Sequence, residues 1–122
     1  MARILVAEDD EAIRGLVVRA LTEDGHELTA AADGSAALAV LDGSDTGFDL
    51  LLTDVKMPAM DGIALAMAAG REHPDLAIML MTGYADMRER AHELDAYVYD
   101  VIAKPFTLAQ IKGAVREALV QR

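Results

Sequence analysis

Short apolar runs alternate with segments of helical period along this chain, and that alternation constrains its fold more than any other feature. Residues 4–7, 50–52, 77–81 and 97–102 read as buried strands, with a weaker strand at 28–31 that is low in β-branched residues. Between them, Ile13, Leu16, Val17, Ala20 and Leu21 recur at helical spacing, and Gly25 closes that helix. Residues 35–41, 63–69 and 85–94 are the next helical segments. Leu108, Ile111, Val115, Ala118 and Leu119 mark a last amphipathic helix. Polar or proline-bearing stretches at 42–47, 56–62 and 74 separate the elements.

Strands alternating with helices are βαβ units. Near-continuous apolar strands belong to a parallel sheet covered on both faces. Right-handed crossovers then leave an α/β, doubly wound five-stranded sheet as the expected architecture. With 122 residues and 53% hydrophobic content the chain can bury one core. Residues 1–122 are expected to form a single domain with no output domain, and no internal repeat is visible.

Charge and composition exclude several functions. The net charge of −10 repels phosphate backbones and anionic lipid, so neither nucleic acid nor a membrane surface is an expected partner. No apolar run is long enough to span a membrane, and three acids follow residues 4–7 at once, so no signal peptide is expected. There is no cysteine, which removes disulfides, thiolate metal sites and thiol nucleophiles. A cytoplasmic location is the expectation.

Ligands of an open parallel sheet sit at the carboxyl ends of its strands. Glu8, Asp9 and Asp10 follow the first strand, Asp54 the third, Thr82 the fourth and Lys104 the fifth. Carboxylates, a hydroxyl and an ammonium are thereby delivered to one sheet edge. Crowded carboxylates repel, and a hard cation relieves the repulsion. Mg2+ needs only one or two carboxylates and keeps several waters. Asp10 and Asp54 are the expected direct ligands, with Asp9 acting through water. A carboxylate is also a nucleophile toward a phosphoryl donor, and Lys104, Thr82 and Mg2+ would stabilise the transferred charge. Asp54, flanked by the others, is the expected acceptor.

Simpler readings exist for each residue. Asp9 or Asp10 can cap the first helix, although three acids exceed what a cap needs. Thr82 beside Gly83 is an ordinary turn pair, and a lone Lys104 is an ordinary surface charge. His26, His73 and His92 are scattered and read as surface residues rather than metal ligands. The methionines read mostly as core filler.

These motifs together resemble the receiver domain of two-component response regulators. The resemblance rests on Val6-Ala7-Glu8-Asp9-Asp10, Leu52-Thr53-Asp54-Val55-Lys56-Met57-Pro58 with Asp61-Gly62, Met81-Thr82-Gly83, and Ala103-Lys104-Pro105-Phe106, in order and at receiver spacing. It implies a flavodoxin-like sheet of order 2-1-3-4-5 and phosphorylation on Asp54. It further implies an acidic metal pair of Asp9 and Asp10, completed by the Lys56 main-chain carbonyl, and a cis peptide between Lys104 and Pro105. Lys104 would contact the phosphoryl group and Thr82 would move toward it on activation. The donor would be a phosphohistidine of a sensor histidine kinase or a histidine phosphotransfer protein. The downstream target is unknown, with a protease or a kinase among the candidates.

Val101 departs from the family pattern, because many receivers carry an aromatic switch residue there. Tyr84 is the expected substitute, and Lys56 and Tyr84 together would shield the acyl phosphate from water. Two alternatives accompany the signalling reading. One is a binding or adaptor module that acts independently of phosphorylation. The other is an aspartate-nucleophile phosphohydrolase, which usually carries a second aspartate where this chain has Lys56. A phosphoacceptor that assists only its own phosphorylation and dephosphorylation, rather than a turnover enzyme, is the expectation.

Overall fold

A computed structural model describes residues 2–43, 47–83 and 98–121. The strands are β1 (Arg3–Ala7), β2 (Glu27–Ala31), β3 (Leu50–Asp54), β4 (Ala77–Thr82) and β5 (Asp100–Ala103). All pair in parallel, in the order β2-β1-β3-β4-β5, as expected. The helices are α1 (Glu11–Glu23), α2 (Gly34–Asp42), α3 (Gly62–Glu72) and a C-terminal helix (Leu108–Gln121). The helix expected at 85–94 lies outside the described residues. The fifth strand begins later than its apolar run, at Asp100.

The continuous apolar character of the strands follows from two separate cores. Side chains alternate across a strand. Leu5, Leu51, Ile78 and Leu80 therefore pack on one face with Ala37, Leu41, Leu65, Ala66 and Ala69 of α2 and α3. Ile4, Val6, Leu50, Leu52, Met79 and Met81 pack on the other with Val17, Leu21, Ile111, Val115 and Ala118 of α1 and the C-terminal helix. β2 is a margin strand and only its Ala31 is buried, which explains its weak apolar signal.

Local chemistry sets the helix ends. Asp10, Asp33 and Asp61 cap α1, α2 and α3, each accepting main-chain N–H bonds of the first turn. After α1 the chain turns back through Gly25 at φ +90°. The His26 N–H donates to Leu21 O and the Gly25 N–H to Thr22 O, the bond pair of a Schellman closure. Arg116 then joins the C-terminal helix to this corner, with Nε 2.7 Å from Asp24 Oδ2.

Candidate functional site

The strand register brings the polar residues together. Ala7 pairs with Thr53, Asp54 with Met81, and Thr82 with Ala103, so the carboxyl ends of β1, β3, β4 and β5 lie side by side. Glu8 continues the ladder beyond β1, its N–H donating to Ala31 O at 3.1 Å. Asp54 ends β3, Thr82 ends β4, and Lys104 follows β5.

Lys104 sits at the centre of the arrangement. Its Nζ lies 2.6 Å from Glu8 Oε1 and 3.2 Å from Asp54 Oδ2. Glu8 is fully buried, while the side chains of Asp54 and Lys104 keep 13% and 18% exposure. A bulky phosphoryl donor therefore reaches Asp54 and Lys104 but not Glu8. The Lys104–Pro105 peptide is cis, as the sequence resemblance implies. The Lys104 N–H donates to Thr82 O at 2.9 Å, tying the end of β5 to that of β4. Thr82 is 1% exposed.

The protonation behaviour follows from this packing. Burial pushes the Glu8 carboxyl above its ordinary range, and the nearby Asp54 charge adds to the rise. The bonds from Lys104 and from the Asp10 N–H oppose it. Burial alone would lower Lys104. Its bond to Glu8 and the charge of Asp54 outweigh that, and its pKa is raised. Lys104 is thus held as an ammonium between two acids.

Asp54 is positioned by its main chain as well. Its Oδ1 accepts from the Val55 N–H at 2.9 Å, which leaves Oδ2 directed at Lys104. Behind it, Gly62 N–H donates to Val55 O at 2.7 Å. A Cβ on Gly62 would lie 2.0 Å from Asp54 O, so only glycine lets α3 begin this close to the end of β3.

The acidic cluster differs from the expected one. Carboxylate oxygens of Glu8, Asp9 and Asp54 lie within 4.8 Å of one another. Asp10 is not among them. Its Oδ1 accepts from the N–H groups of Ala12 and Ile13 at 2.9 and 3.1 Å, so it serves as the α1 cap. Asp10, expected as a direct ligand and as half of the acidic pair, has its carboxylate engaged by the helix end in this structure, and Glu8 stands in the cluster. The signal in the sequence was its position as first of the three acids, where the β1 ladder still runs and burial is strongest.

The donor set suits a hard divalent cation. Its carboxylates supply only oxygens, and one ammonium stands against three acids. Arg14 Nη1 donates to the main-chain oxygen of Glu8 at 2.9 Å. Lys56 follows in the turn after β3 with an exposed side chain. Val101, paired with Leu80, is half-buried against the Leu5–Leu80 core. Tyr84 lies outside the described residues.

The chain matches the family model of the response regulator receiver domain over residues 4–116. It is 38% identical over 120 residues to the response regulator receiver protein CpdR of Brucella abortus, covering 98% of both chains. It is also 36% identical over 119 residues to the sensor kinase CckA of that organism, covering 97% of this chain but 12% of the kinase. Among solved structures it superposes on a CheY-like response regulator receiver domain protein of Methanospirillum hungatei JF-1 with a TM-score of 0.91. The identity is 30%, and 99% of this chain and 95% of the other are covered. These likenesses run through the whole sheet and through every strand end that carries the site, and the chain belongs to the response regulator receiver domain family.

Proposed function

We propose that Asp54 accepts a phosphoryl group from the phosphohistidine of a sensor histidine kinase or a histidine phosphotransfer protein, and that the resulting acyl phosphate switches binding to another protein. The observation that carries this reading is the Lys104 ammonium, shared between Asp54 Oδ2 at 3.2 Å and the buried Glu8 at 2.6 Å. It places a fixed cation beside an accessible carboxylate oxygen. Glu8, Asp9 and Asp54 would hold Mg2+, with the Lys56 main-chain carbonyl as a further oxygen. Bound there, Mg2+ supplies positive charge for the transferring oxygens.

The chain's own residues do the rest. Oδ1 of Asp54 is committed to the Val55 N–H, so Oδ2 is the nucleophile. It forms the new O–P bond as the donor's N–P bond breaks, and the electron pair leaves on the imidazole nitrogen. Lys104 moves its ammonium from the carboxylates to a phosphoryl oxygen, while Glu8 keeps it from swinging into solvent. Thr82 donates its hydroxyl to another phosphoryl oxygen. Engaging Thr82 in this way shifts the population of binding-competent forms. The chain assists only its own phosphorylation and dephosphorylation.

Among the described residues no helix is long and apolar enough to cross a membrane. Placement in the cytoplasm, where histidine kinases present their phosphohistidine, accords with that. CckA carries a segment similar to this chain, and a kinase donor of that type suits the reading; a protease or a kinase remains the class of downstream target to test.

Incubation with Mg2+ and acetyl phosphate tests the proposal by intact mass. A single added phosphoryl group, released by base and absent in Asp54→Ala, is the expected result. A folded protein that stays unmodified overturns it.

A further inference from the structure

A second cluster of metal-ligating groups lies at the opposite edge of the sheet. Asp42 is the last residue of α2, Glu72 the last of α3, and His73 the C-cap of α3. Both helices run back from the strand ends that carry Asp54, so their C-termini meet at the amino-terminal edge. One donor atom from each of Asp42, Glu72 and His73 lies within 4.8 Å of the others.

Two further observations point to a ligand. His73 Nε2 is closed off from solvent and makes no hydrogen bond, although its ring keeps 31% exposure. It stands 3.5 Å from Asp42 Oδ1. Two donors bound to one tetrahedral zinc at about 2.0–2.1 Å stand roughly 3.4 Å apart, so this pair is already spaced as zinc ligands. Second, both helices direct their negative dipole ends at this point, and the last turn of α2 carries no basic residue, while α3 has Arg71. A cavity of about 280 Å3 lined by Phe48, Glu72, His73 and Pro74 adjoins the cluster and leaves room for a water ligand.

We infer that His73 Nε2, Asp42 and Glu72 form a structural site for a first-row divalent cation, Zn2+ in the first instance, which joins the C-terminal ends of α2 and α3. The imidazole nitrogen distinguishes it from the all-carboxylate set at Asp54. A nitrogen donor selects zinc-like ions, whereas oxygens alone suit Mg2+. Residues 42 and 73 are too far apart in sequence for their spacing to reveal a site; the packing of α2 on α3 brings them together. The Glu72 side chain is exposed and closes the remaining distance by rotation.

The test is a Zn2+ titration of the tag-free chain by calorimetry, in saturating Mg2+ so that the Asp54 cluster is occupied. Imidazole nitrogen shifts are followed in parallel by NMR. One Zn2+ per chain is expected, with the His73 ring shifted and the thermal midpoint raised. His73→Gln and Asp42→Asn should each weaken binding by at least about tenfold, since even residues behind a metal ligand cost that much. His26→Gln and Asp54→Asn should leave it unchanged. The absence of Zn2+ binding, binding indifferent to both His73→Gln and Asp42→Asn, or loss on Asp54→Asn overturns the inference. None of these results depends on whether Asp54 takes a phosphoryl group.

Discussion

Gly62→Ala is the sharpest probe of how this fold holds its acceptor carboxylate. The added Cβ would lie 2.0 Å from Asp54 O, 2.8 Å from Asp54 C and 2.9 Å from Val55 Cα. All three are main-chain atoms, so no side chain can rotate out of the way. Against an ordinary contact of 3.4 Å the shortfall is about 1.4 Å, and the start of α3 and the end of β3 must separate by about that much. Separation strains the 2.7 Å bond from Gly62 N–H to Val55 O and the Asp61 cap on Ala64. Overpacking of this kind costs about 1–3 kcal/mol. Moving Asp54 by 1 Å also stretches its 3.2 Å contact with Lys104, and misplacement on that scale slows a positioned reaction by up to about 100-fold. Urea unfolding and the rate of acetyl phosphate labelling, measured on the same variant, read the two effects separately. Gly15→Ala is the control: its Cβ meets nothing within 4 Å inside α1, so it should stabilise by about 0.5–1 kcal/mol and label normally. A Gly62→Ala protein with wild-type stability and wild-type labelling would refute the claim that this contact fixes Asp54.

Asp10→Ala removes a helix cap and should cost about 1 kcal/mol in urea unfolding while leaving Mg2+ affinity intact. Glu8→Gln should weaken Mg2+ binding by tenfold or more, and the reverse ranking in a metal titration would restore Asp10 as the ligand. The Arg116 bond holds the Asp24 carboxyl below its ordinary range of about 3.9, so this pair stabilises the fold fully above that value and less as pH falls through the lowered one. The stability difference between wild type and Arg116→Ala should therefore be present near pH 7 and shrink as pH falls through the acidic range; a difference independent of pH contradicts the pairing. Lys56→Asn should shorten the lifetime of the acyl phosphate by exposing it to water, followed as decay of the phosphorylated mass. An unchanged lifetime excludes Lys56 from the rim.

Where the sequence was legible, it was so because one physical constraint acted on many residues at once. Burial on both faces makes strands β1, β3 and β4 continuously apolar, and their ends then have to carry whatever polar groups the chain presents at that edge. Asp54, Thr82 and Lys104 could be read from that alone. The division of labour among Glu8, Asp9 and Asp10 could not, because it depends on where the β1 ladder stops and α1 begins, a difference of one residue. The ladder runs on to Glu8 and buries it against Lys104; the first turn of α1 takes Asp10; Asp9 between them is the exposed member of the cluster. Asp42 and His73 mark the other limit. Nothing local distinguishes either residue, and only the shared direction of α2 and α3 brings their donors within 3.5 Å. A strand end selects its chemistry through the residues next to it, which a sequence displays, whereas a pair of helix ends selects it through packing, which appears only once the chain is folded.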